Sequence, residues 1–262
     1  MPRLTELRSL ASHFNLSDPA ERSRSTTVLM ALYFDLLMEI RPTVTVEIGA
    51  FDASFSLEMK RRLPEVHAVA FEANPYNFEV CSAKALEASV EYLHMAVADL
   101  DGAITFNVIA GQGDQRFPQV KGNDSLLQRN VANVEYEQVT VPATTANRFF
   151  SQPRFLDSRF SLWIDVEGAA GKVLQGATEV FDRTQSLLIE VEEVQFWTDQ
   201  WLSRSVDAFL ERHGFVPIAR DFEYEYQYNV LYVKQTVMDL PRFDYVMTDY
   251  FSKIGAPLRA QN

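Results

Sequence analysis

At 262 residues the chain is long enough for one α/β domain with extensions, and its composition, 47% hydrophobic and 23% charged, is that of a globular protein with a sizeable core. A net charge of −12 leaves no basic stripe to neutralise phosphates, which speaks against nucleic acid as a partner. Cys81 is the only cysteine, which excludes an internal disulfide and a cysteine metal cluster; with no basic-then-apolar leader and no apolar run near ~18 residues, a soluble cytoplasmic protein without a membrane partner is expected.

Taken in order, the chain alternates helix and strand. Leu4, Leu7 and Leu10 suggest a short helix, and Ser17-Asp18-Pro19 a break or a helix start. Val28, Leu29, Leu32, Tyr33, Leu36, Leu37 and Ile40 recur at the spacing of an amphipathic helix over 26–40, so residues 1–43 read as a helical extension stopped by Arg41-Pro42. Val44-Thr45-Val46-Glu47-Ile48-Gly49-Ala50 is a short buried strand running into a glycine turn, followed by a helix from Ser54 to Leu63. A strand at 67–71 ends at Glu72; Asn74-Pro75 is a turn, 76–86 a helix and 90–97 a third strand. Asp101-Gly102 signals a tight turn. Strands at 103–109 and 136–141 frame a long polar loop, 111–133, so that 103–142 reads as an insertion; loops of that length usually carry function.

Further on come a short helix at 145–150, a strand at 160–164 ending at Asp165, a helix at 169–181 and a strand at 186–191. A helix at 200–213 is closed by Gly214. The last strands, 215–219 and 229–233, have no helix between them and read as an antiparallel hairpin at one edge; 238–262 is a polar tail spotted with aromatics. The expectation is an α/β fold, a mostly parallel sheet with helices on both faces and a C-terminal antiparallel hairpin. That is the Rossmann-like architecture of class I S-adenosylmethionine (SAM) methyltransferases, here spanning 44–237.

In open α/β sheets ligands sit beyond the carboxyl ends of the strands. The residues there are Glu47, Gly49 and Ala50 with Ser54 behind them, Glu72-Ala73-Asn74, Val97 with Asp99, Asp165-Val166-Glu167-Gly168 and Glu190. Gly49 would let backbone approach a ligand, and the helix from Ser54 would offer unpaired N–H groups. Glu72, about 20 residues past the turn, is placed to accept both hydroxyls of a ribose. A dinucleotide oxidoreductase would want G-x-G-x-x-G, whereas 49–54 reads Gly-Ala-Phe-Asp-Ala-Ser with one glycine.

Several blocks resemble the FkbM family of SAM-dependent methyltransferases: Val46–Ala50, Phe71–Asn77, Ala96–Asp99 before Asp101-Gly102, Asp124-Ser125-Leu126, Ile164–Ala169, Val173–Ala177, Leu188–Val191 and Asn229–Lys234. The resemblance covers roughly 44–234 and is most specific at Asp165–Ala169. It implies methyl transfer from SAM, usually to a hydroxyl oxygen of a sugar or secondary metabolite. Glu47 and Gly49 would form the cofactor turn, Glu72 would hold the ribose, Val97 and Asp99 the adenine end, and Ser125 and Asp165 would lie near the methionine end or the acceptor. The chain departs from the family where Phe51 and Ala53 replace an Asn and a second Gly, Ala73 a Pro, Trp163 a Lys, and Ala170 a second acid.

The protein must align the acceptor and take its proton, and an alcohol calls for a general base. Asp165, Glu190 and His94 are the candidates; Asp165 and Glu190 end adjacent strands and would share a proton. Binding a divalent cation, Mg²⁺ or Ca²⁺ by their oxygen ligands, is the alternative use of that pair. Glu192 and Glu193 read as a solvated edge; Phe196, Trp197 and Trp201 either line the acceptor pocket or pack a helix, and Tyr224, Tyr226 and Tyr228 read as one strand face. The partner expected is a small-molecule or glycan acceptor, and a homo-oligomer is compatible with the sequence. A catalytically silent SAM-binding or protein-interaction relative stays open beside the enzyme, with the oxidoreductase third.

Overall fold

The computed structural model describes residues 4–255. Its elements are α1 (Leu4–Leu7), α2 (Pro19–Ile40), β1 (Val44–Ile48), α3 (Ser54–Arg62), β2 (His67–Glu72), α4 (Pro75–Glu87), β3 (Glu91–His94), β4 (Ala96–Val97), β5 (Gly102–Gln112), β6 (Gln115–Arg116), β7 (Val134–Thr144), α5 (Ala146–Phe150), β8 (Phe160–Ile164), α6 (Ala170–Gln175), β9 (Thr184–Glu192), α7 (Ser203–Arg212), β10 (Phe215–Arg220), β11 (Gln227–Lys234), α8 (Gln235–Met238) and α9 (Phe243–Ile254). The main sheet has seven strands in the order β3-β2-β1-β8-β9-β11-β10. Strands β3, β2, β1, β8 and β9 run parallel; β11 slots antiparallel between β9 and β10. The expected α/β fold, with its late hairpin, is the fold observed.

Side-chain alternation divides the core between the two faces. On one, Val46, Val69, Phe71, Ile164 and Ile189 pack against Phe150, Val173, Leu174 and Val206 of α5, α6 and α7. On the other, Ala68, Ala70, Leu188 and Leu231 meet Leu29, Tyr33, Leu36 and Leu37 of α2, Phe55 of α3 and Val246 and Tyr250 of α9. Strand residues of period two and helix stripes of period 3.6 can bury together only in this layered way. Helix α2 starts well before its apolar stripe because Asp18 accepts from the Ala20 amide at 2.9 Å and Pro19 occupies the first helical position.

The structure corrects the expected elements in several places. The run 90–97 is not one strand: the Met95 amide bonds to the Glu72 carbonyl, and Ala96-Val97 then leave the main sheet to pair with β7. A second sheet, β4-β7-β5-β6, results. Gly102, at φ +118°, starts β5, yet β4 and β5 each pair with β7 and not with one another, so Asp101-Gly102 is a crossover rather than a hairpin. The helix expected over 169–181 stops at Gln175 and resumes as a 3₁₀ turn at Val180–Arg183. The expected tail contains α9, whose Phe243, Val246, Tyr250 and Ile254 are buried, so 243–254 belongs to the core; the part of the tail at 256–262 lies outside the described residues. No helix among the described residues is long and apolar enough to cross a membrane.

Candidate active site

At the carboxyl end of β1 the chain turns through Gly49 at φ +82°, Phe51 at +43° and Ala53 at +57°. Phe51 and Ala53, the two departures from the family's turn, thus keep a left-handed backbone that favours glycine, at a cost of about 1 kcal/mol or more each. Gly49 is required by the protein itself: a Cβ there would stand 1.7 Å from the Asp165 carbonyl oxygen. The Asp165 amide in turn donates to the Ile48 carbonyl at 2.9 Å, so this glycine lets the ends of β1 and β8 meet and also lines the cavity beside them.

The start of α3 is not an open donor site either. Glu47 is buried and its carboxylate accepts from the Phe55 amide at 3.2 Å and the Ser56 amide at 2.8 Å, while Asp52 accepts from Ser54 at 3.1 Å. Burial pushes Glu47 up to about 7, against the pull of those donors. Glu47, Ala50 and Ser54 do not line the cavity beside the turn.

That cavity lies between the two sheets, and its empty space of about 530 Å³ includes a part open to solvent. Gly49, Phe51, Glu72, Ala73, Asn74, Val97 and Asp165 line it. Glu72 accepts from the Phe51 amide at 2.6 Å and the Asn74 amide at 2.7 Å, which aims the carboxylate and leaves a lone pair on each oxygen. Burial pushes it up to about 7. Asn74 is committed to structure: its oxygen caps α4 and its amide nitrogen donates to Gln119 and Asp124 at 2.9 and 2.8 Å. Asp99 lies outside the lining, paired with Lys172 at 3.4 Å. Ser125 is also outside, donating to the Glu167 carbonyl at 2.7 Å and so tying the long loop to the Asp165–Gly168 segment.

Half-buried Asp165, Glu167 and Glu190 and fully buried Glu192 form a wall of carboxyls across the ends of β8 and β9. Burial pushes Asp165 up to about 6 although its side chain hydrogen-bonds to Glu190; Glu190 is raised well above its ordinary value by burial and by Asp165 and Glu167. Burial and the Asp165 charge push Glu167 up to about 8 and Glu192 up to about 7. Both acids are raised, Glu190 the more strongly, so the pair takes up a proton more readily than two free carboxylates would. Glu192 is 1% exposed, which corrects the expected solvated edge; its nearest donors, the Gly168 amide and the Gln200 side chain, stand off at less than hydrogen-bond quality. Arg129, 3.7 Å from Glu167, lies over the Trp197 ring at 3.9 Å. Trp197 fills the space a Cβ on Gly168 would need, 2.3 Å away, and is fully buried in an apolar cluster with Ile109, Leu127 and Ala169 rather than lining the cavity.

His94 is not brought to the other two candidate bases. It stacks on Phe78 and contacts the Ala73 carbonyl at 3.2 Å. It ends β3, three strands from β8, or about 14 Å at ~4.8 Å per strand. Among the described residues no three His, Cys, Asp or Glu side chains are arranged to hold a metal ion. Of the tyrosines, Tyr224 and Tyr226 are exposed ahead of β11, and only Tyr228 packs inside, 3.3 Å below Arg220. Sequence reasoning missed Lys121, Asp124 and Phe106 as lining residues, and Arg129. Asp124 stood within a resembling block, whereas Arg129 carried no signal.

Residues 46–217 match the methyltransferase FkbM domain. The chain belongs to the FkbM methyltransferase family. Membership makes it a methyltransferase and implies SAM as methyl donor. The 2-O-methyltransferase NoeI of Sinorhizobium fredii strain NGR234 is 21% identical over 197 residues, covering 73% of this chain and 81% of its own. Among solved structures, a precorrin-6y C5,15-methyltransferase from Geobacter metallireducens is 15% identical, with a TM-score of 0.38 over 76% of this chain and 84% of its own. An O-methyltransferase family protein from Burkholderia thailandensis is 9% identical, with a TM-score of 0.44 over 81% and 56%. In this FkbM chain the cavity residues suit SAM: a carboxylate with free lone pairs at Glu72 for a diol, an apolar slot at Val97 and Phe106 for a flat base, and acids at Asp165 for a cationic end.

Proposed function

We propose that this FkbM protein transfers the methyl group of SAM to a hydroxyl oxygen of a sugar or secondary metabolite, with Asp165 as the general base. The observation that carries the reading is the Asp165–Glu190 pair at the ends of two adjacent strands, where Asp165 lines the cavity and burial raises both carboxyls. SAM supplies an activated methyl when bound. Glu72 orients its ribose, and Gly49 and Val97 contact it. Asp165, ionised near neutral pH, takes the acceptor's proton; Glu190 donates into Asp165 and keeps its orientation. Glu167 and Glu192 close the site from solvent, and the 2-O-methyltransferase relative is consistent with an oxygen acceptor.

Asp165→Asn keeps the shape and removes the base. Transfer to a panel of sugar and polyketide alcohols should fall by about 10²–10⁴-fold, with S-adenosylhomocysteine affinity by calorimetry within about threefold of wild type. Unimpaired transfer would remove Asp165 from the role, and a wild-type protein that binds the nucleoside but methylates nothing would favour the silent relative.

A further inference from the structure

The cavity has a cation that the transfer chemistry does not use. Lys121 lines it from the long loop, with its side chain only 12% exposed, and its backbone is clamped to α4 in both directions: its amide donates to Asn77 at 3.0 Å and its carbonyl accepts from Asn77 at 2.8 Å. The ammonium sits 2.9 Å from Asp124, but the contact is not aligned as a hydrogen bond, and no other acceptor among the described residues engages its N–H groups. Asp124 is better supplied. One oxygen takes the Ile109 amide at 2.7 Å, and the other takes the Asn74 side chain at 2.8 Å and retains a lone pair. Met95, Val97, Phe106 and Leu126 line the same cavity, so its lining combines apolar surface with one donor and one acceptor side by side.

Adenine has flat apolar faces and an edge on which an amino donor adjoins a ring-nitrogen acceptor, N1 on one side and N7 on the other. Resting on the SAM reading above, we propose that Lys121 and Asp124 form the base-reading pair of this site: Asp124 accepts from the 6-amino group and Lys121 donates to the ring nitrogen next to it. The site thereby rejects hypoxanthine, whose 6-oxygen would face the Asp124 carboxylate.

The test is calorimetric, with S-adenosylhomocysteine, its 1-deaza and 7-deaza analogues, and S-inosylhomocysteine as probes. Wild type should bind S-inosylhomocysteine at least about 30-fold more weakly than S-adenosylhomocysteine, and one deaza analogue about 10–100-fold more weakly. Lys121→Met should lose about the same factor towards S-adenosylhomocysteine and no longer distinguish that deaza analogue. A loosened loop would weaken all probes alike and leave the ratios standing, which would overturn the proposal. Asp124→Asn, whose amide can donate to a 6-oxygen, should narrow the gap to S-inosylhomocysteine; an unchanged gap would equally overturn it. Should wild type fail to bind S-adenosylhomocysteine at all, the cofactor reading falls and this inference with it.

Discussion

The glycine turn and the carboxyl wall end neighbouring strands, and both bury acids, but they treat them differently. Glu47 and Glu72 each accept two backbone amides. Glu190 and Glu192 face other acids and have oxygens without a well-formed donor. A carboxylate held by amides builds the site, because removing it orphans buried donors. A carboxyl held against like charge is retained at a cost in stability, and such a cost is typical of groups that act on a ligand. Among the described residues the wall's counter-charge is Arg129, 3.7 Å from Glu167, whereas the turn's acids are held by backbone amides.

The largest effect that would break this contrast is the loss of transfer in Asp165→Asn set out above, followed by the base-reading ratios of Lys121 and Asp124. Next comes stability. Glu47→Ala leaves the Phe55 and Ser56 amides buried without an acceptor and should cost about 2–5 kcal/mol, a Tm drop of roughly 5–15 °C by calorimetry. Glu190→Gln should leave Tm unchanged or raise it at pH 8. Equal losses in both variants would erase the distinction between the regions.

A pH series sharpens it. Asp165, Glu192 and Glu167 have folded-state pKa values pushed up to about 6, 7 and 8, all above the ordinary carboxyl range. The folded state therefore binds protons that the unfolded chain releases near pH 4, so the stability they contribute is fully present below about pH 4 and lost as pH rises to about 8. Tm should be lower at pH 8.5 than at pH 5, with a shallower decline in Glu192→Gln; the same slope in that variant would show that the wall does not titrate.

The smallest effect concerns the turn. Ala53 is fully buried at φ +57°. Glycine there relieves strain but frees the unfolded chain and removes a buried methyl, so Ala53→Gly should keep Tm within about 3 °C of wild type. Ala53→Val, β-branched at positive φ, should lose about 2–4 kcal/mol in chemical denaturation. Equal tolerance of both would mean the turn relaxes out of its left-handed form.

Much of the site was legible where one residue sits at a predictable strand end. Glu72, Gly49, Val97 and Asp165 all line the cavity as their placement suggested. Glu47, Asn74 and Ser125 carry the same chemistry in the sequence, yet their side-chain polar atoms are spent on nearby backbone or side-chain partners, and Ser54 lies outside the cavity with its amide bonded to Asp52. A short polar residue at a turn can equally cap a helix or bind a ligand, and only the positions of its neighbours decide between the two. Asp99 lies outside the lining because the third strand breaks at Met95 and its second half joins the other sheet, and His94 stands apart from Asp165 because β3 is three strands from β8.

By itself the sequence determined the order of strands and helices, the late hairpin and the family, because hydrophobic period, caps and turn residues act over a few positions along the chain. The tertiary structure alone decided that Gly49 answers to the Asp165 carbonyl, that α9 closes the core, that Glu192 is buried in the carboxyl wall, and that Lys121 reaches the cavity. These depend on which strands become neighbours and how a long loop lies across them. Such contacts join residues far apart in the chain, where no local pattern records them.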